Sequence, residues 1–140
     1  MKRAALFAVA ALAVTVAVLP AQAAKSKPKP KCVAHAVAYV ASGSLTAAGA
    51  LTANSDRIYD GTLTVQVTRT NTHAKADKGM TKTYTLIKAR VSFGHGVSKT
   101  APAAGTRANV KGTITTEAKS CTGFTPTTTI KKVELLAAKK

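Results

Sequence analysis

Gly61-Thr62-Leu63-Thr64-Val65-Gln66-Val67-Thr68-Arg69 is the stretch that decides the fold class of this chain. Leu63, Val65 and Val67 alternate with Thr62, Thr64, Gln66 and Thr68, a period of two that gives an extended segment one apolar and one polar face. Threonine and valine are β-branched and fit a pleated, half-buried surface. Threonine remains frequent on either side of this stretch, with 20 after residue 23. That weighs heavily against a helical bundle.

Four more segments read as strands. Residues 33–45 place Val33, Val37 and Tyr39 on one face and alanines on the other, with Gly43 suited to a bend or bulge. Residues 81–93 offer Tyr84 and Leu86, then Ile87, Ala89, Val91 and Phe93. Their apolar phase changes near Ile87 and Lys88, as a bulged or strongly coiled strand requires. Residues 106–114 set Ala108, Val110, Gly112 and Ile114 against Arg107, Asn109 and Lys111. Residues 127–136 contribute Ile130, Val133 and Leu135, again out of simple phase across Lys131 and Lys132.

The connections carry their own signals. Asp60-Gly61 reads as a turn opening its strand, residues 71–79 as a polar hairpin loop and residues 119–126 as the last loop. Gly94-His95-Gly96 and the Pro102 region mark a longer link, and residues 47–53 could form a short helix interrupted by Gly49. Five strands with a longer link after the third predict an all-β, five-stranded OB-like Greek-key barrel over residues 32–140. A small β-sandwich is the alternative.

The first 23 residues read as a secretory signal peptide. Lys2 and Arg3 precede an apolar run over 4–19, Pro20 breaks it, and Ala21-Gln22-Ala23 offers a cleavage site. A run of that length spans about 24 Å as a helix, short of the roughly 30 Å of a bilayer core. Residues 24–31 alternate lysine and proline and read as an extended linker with no apolar face. The protein is therefore expected to be secreted or held at the cell envelope. Losing Lys2 and Arg3 lowers the net charge from +16 only to +14, so the basic character belongs to the exported chain. Export also places Cys32 and Cys121 in a disulfide-permissive compartment, and an intramolecular bond between them is expected.

No motif for catalysis stands out. The serines lack a G-x-S-x-G elbow, and Asp56 and Asp60 read as turn-forming aspartates. His35, His73 and His95 show no H-x-x-x-H spacing, and C-x-x-C is absent, so neither a metal nor a cofactor is expected. His35 shares strand spacing with Val33 and Val37 and reads as a packed or rim residue. Single-stranded nucleic acid needs stacking aromatics beside a basic groove. The exported chain has only Tyr39, Tyr59, Tyr84, Phe93 and Phe124, several of them needed for the core. Nucleic acid is not the expected partner.

The layout resembles a family of small, secreted bacterial OB-like barrel domains whose biochemical role is not established. The resemblance is carried by G-T-L-T-V-Q-V-T-R-T-N-T-H-A-K (61–75), by Y-T-L-I-K-A-R-V (84–91), and by A-G-T-R-A-N-V-K-G-T-I (104–114) followed by T-T-I-K-K-V-E-L (128–135). It implies the barrel and export and adds no activity. The cysteines and the lysine–proline tether are not features it implies.

Taken together, these readings point to a monomeric, non-enzymatic barrel that meets anionic envelope polymers or a membrane surface. Its contact residues are expected to be Lys25, Lys27, Lys29 and Lys31 of the tether, with Arg107, Lys111, Lys131 and Lys132 of the barrel. The alternative is a small-ligand or metal-binding barrel that uses the loops carrying His73 and His95.

Overall fold

The computed structural model describes residues 32–139; the expected signal peptide over 1–23 and the expected linker over 24–31, with its four lysines, lie outside them. The alternating stretch forms the middle of a strand, and Leu63, Val65 and Val67 are all buried. In chain order the strands are β1 (His35–Leu45), β2 (Ala50–Ser55), β3 (Ile58–Thr70), β4 (Thr81–Phe93), β5 (Arg107–Thr116) and β6 (Thr128–Leu136). A 3-10 helix covers Thr72–Asp77.

Five strands close on themselves. β1 pairs with β3, β3 with β4, β4 with β6, β6 with β5, and β5 with β1. All of these pairs are antiparallel except β4–β6. This ring is the OB Greek-key order, and its closure excludes a two-sheet sandwich. β2 is an extra strand paired to the early part of β3. Inside the ring Tyr39, Leu63, Leu86, Val91, Val110, Val133 and Leu135 are fully buried.

Three local expectations are corrected. Residues 47–53 are not helical: the Gly49 amide donates to the Pro102 carbonyl and the Leu51 amide to Thr100, while 50–55 pair with β3. So short a helix, without a cap, would not hold against this pairing. Asp60-Gly61 lies inside β3 rather than at its start. Gly61 has φ +141 where the β3–β4 register shifts, so the turn signal marks a bulge. Ile87, placed with the apolar set from sequence, is 74% exposed, because the chain turns at Lys88 with φ +50.

The phase slips read from the sequence are otherwise real. The register shifts between Ser42 and Gly43 in β1, and again between Lys111 and Gly112 opposite Lys131. One end of the barrel is tied down by the 3-10 helix. Asn71 donates to the Ala38 carbonyl at 2.7 Å and accepts from the amides of Val40 and Ala74. At the start of β1, Cys32 is bonded to Cys121 of the β5–β6 loop, with Cα atoms 5.8 Å apart.

Candidate anion-binding face

The candidate face begins with a conflict in β6. Ile130 and Val133 are both buried, yet only two residues separate them. Simple alternation would turn one of Lys131 and Lys132 inward, and an unpaired buried ammonium is costly. The bulge opposite Lys111 removes the conflict by adding one residue, and both lysines are exposed.

Pairing on either side of β6 extends this basic pair. Lys132 lies opposite Lys111 of β5 in the antiparallel ladder and opposite Arg90 of β4 in the parallel one. Arg90, Lys132 and Lys111 therefore form one row across three strands, with Lys131 beside it, and all four are exposed. Like charges in directly opposed positions destabilise a sheet.

No carboxylate is paired with this row among the described residues. Asp77 accepts from the Lys82 ammonium at 2.7 and 2.8 Å, and Asp56 is 4.0 Å from Arg57. Asp60 accepts from the Lys88 amide and the Asn54 side chain. These bonds hold its carboxyl below the ordinary carboxylate value, the Lys88 amide contributing most. Glu134 accepts from Asn109 at 3.4 Å, and Glu117 sits with the disulfide sulfurs. Among the described residues the only ion pairs are Asp56–Arg57 and Asp77–Lys82.

The barrel residues predicted for polyanion contact thus divide. Lys111, Lys131 and Lys132 come together. Arg107 lies four residues along β5 from Lys111, beyond the Asn109–Glu134 pair, and borders a different cleft. Arg90 was missed from sequence because nothing local to β4 marks it. Only the parallel β4–β6 pairing brings it into the row.

The histidines do not converge. His73 lies in the 3-10 helix before β4 and His95 follows β4, so thirteen residues of strand separate them. Both are exposed, as is His35, whose Nε2 is 3.4 Å from the Thr116 hydroxyl. Among the described residues, the one group of three metal-ligand side chains close enough to share an ion is Cys32, Glu117 and Cys121. Its two sulfurs are bonded to each other.

A cleft of about 420 Å³ lies at the β2–β3 turn. Its lining includes Arg57, Tyr59, Phe93 and Lys99, with the two aromatic rings edge to face at 5.2 Å. Tyr39, Tyr59 and Tyr84 belong to the core. Comparison with protein-family models, with curated proteins and with solved structures returns no match.

Proposed function

We propose that this protein is an exported, non-enzymatic OB-like barrel that docks on anionic polymers of the bacterial cell envelope. The reading is carried by the row Arg90–Lys132–Lys111 with Lys131 alongside, four exposed cations with no carboxylate paired to them among the described residues. Such a row costs folding stability, and a polyanion bound across it would remove that cost. The net charge of the exported chain, +14, gives the same attraction at longer range, and the tether lysines at 25, 27, 29 and 31 would add contacts. The signal-peptide pattern and the Cys32–Cys121 bond support an oxidising, extracytoplasmic setting.

Retention on purified anionic wall polymer tests the proposal. The protein should bind at low salt and elute as ionic strength rises. Changing Arg90, Lys111, Lys131 and Lys132 together to Gln should weaken retention roughly tenfold, since exposed pairs contribute a few tenths of a kcal/mol each. Indifference to both salt and polymer would overturn the proposal.

A further inference from the structure

A second cationic feature lies across the middle of β1, away from the lysine row. There β1 carries only Ser42, Gly43 and Ser44, while the strands on either side carry arginines. Ser42 is opposite Arg69 of β3 on one side and Asn109 of β5 on the other, and Ser44 is opposite Arg107. The two flanking strands stand about 9.5 Å apart across β1. Short side chains between long ones leave a trough, here of about 320 Å³.

Gly43 is required in that trough. A Cβ at this position would run into the Gln66 carbonyl and the Val65 side chain, at the step where the β1–β3 register shifts. Gly43 therefore adds no side chain there, and Ser42 and Ser44, which line the trough, supply its hydroxyls.

Arg69, Arg107 and Lys139 form no ion pair among the described residues. Arg107 is oriented by its Nε, which donates to the Ala137 carbonyl at 3.0 Å. Its terminal nitrogens make no hydrogen bond among the described residues. Arg69 makes no side-chain hydrogen bond or ion pair among them. Lys139 closes one side of the trough. Glu134, the nearby carboxylate, accepts from Asn109.

We propose that this trough is a seat for one tetrahedral oxyanion, a phosphate or sulfate ester carried on the polymer that the barrel binds. Two guanidinium forks approaching from opposite strands need acceptors pointing in several directions. A tetrahedral oxyanion has them, whereas a planar carboxylate satisfies one fork. The seat stands on its own geometry; only the statement that its anion is part of a polymer rests on the proposed function.

Titration of the oxidised protein with inorganic phosphate, sulfate and acetate, each at constant ionic strength made up with sodium chloride, tests the seat by NMR. Phosphate or sulfate should give saturable shifts at Ser42, Ser44, Arg69 and Arg107, and whichever binds tighter identifies the ester. Arg69→Gln, which removes no hydrogen bond seen in the structure, should weaken that binding about tenfold, as expected for loss of a charge-assisted fork. Lys111→Gln with Lys132→Gln should leave it unchanged while lowering polymer retention. Shifts that do not saturate, equal binding of acetate, or an unaffected Arg69→Gln variant would overturn the seat. If polymer retention persists in that case, the proposed function stands without it. Saturable phosphate or sulfate binding with no polymer retention would instead leave the seat and remove the polymer.

Discussion

Tyr39 and Tyr84 meet inside the barrel with their hydroxyl oxygens 2.8 Å apart, and Tyr39 donates to Asp77 at 2.6 Å. A phenol has one proton to give, so Tyr84 is the donor to Tyr39. Burial pushes both phenols above their usual pKa, and for Tyr39 the bond to Asp77 adds to this. Because the folded values lie above the unfolded ones, the stability this confers is complete below about pH 10 and is lost as pH rises further. In a Tyr59→Phe background, where these are the only tyrosines left, tyrosinate absorbance should stay flat through pH 10 and appear together with loss of the β-sheet circular dichroism signal. A smooth titration near pH 10 with the fold intact would contradict the arrangement. The Lys82 ammonium, 5.8 Å from the Tyr39 ring centroid and bonded to Asp77, completes the cluster.

β3 and β4 bulge against each other, β3 at Asp60–Gly61 and β4 at Ile87–Lys88, and the Asp60 carboxylate joins the two by accepting the Lys88 amide. Its depressed pKa makes the clasp acid-sensitive. The stabilisation is present above the unfolded carboxyl value, about 3.9, and is lost as pH falls through the lower folded one. Wild type should therefore exceed Asp60→Asn in urea midpoint by a constant margin near neutral pH, and the margin should shrink at strongly acid pH. A margin that does not change with pH would remove this role. At this scale the sequence was readable wherever a bulge interrupts apolar alternation, as it does at Lys88 and at Lys131. It misled where a bulge carries turn chemistry, as at Asp60-Gly61, because a left-handed or open backbone position favours the same residues in both settings. β2 was unreadable for a different reason: Leu51 is its only buried residue, so no period of two marks it.

Across the whole molecule, the Cys32–Cys121 bond closes a separation of 89 residues, holding the start of β1 against the β5–β6 loop. Chain entropy puts its contribution at about 4 to 5 kcal/mol at most. Replacing both cysteines with serine should lower stability by up to that amount in urea melts, with the same strand ladders retained. A change below about 1 kcal/mol would show that the reduced chain is already constrained there. The same scale explains how much of the candidate site could be read in advance. Lys111 was visible because alternation along its own strand marks the outward face, and Lys131 and Lys132 because an unpaired ammonium is costly to bury on either face. Arg90 was not, and neither was the separation of Arg107 into a trough with Arg69. By itself the sequence determined the five barrel strands, most of their faces, the basic charge and the single possible cysteine pair, since each is local or admits no alternative. Only the tertiary structure decided which cations become neighbours. Closing the ring sets β4 parallel to β6 and brings β3 and β5 to either side of β1, and pairing between distant parts of the chain leaves no periodic trace in either partner.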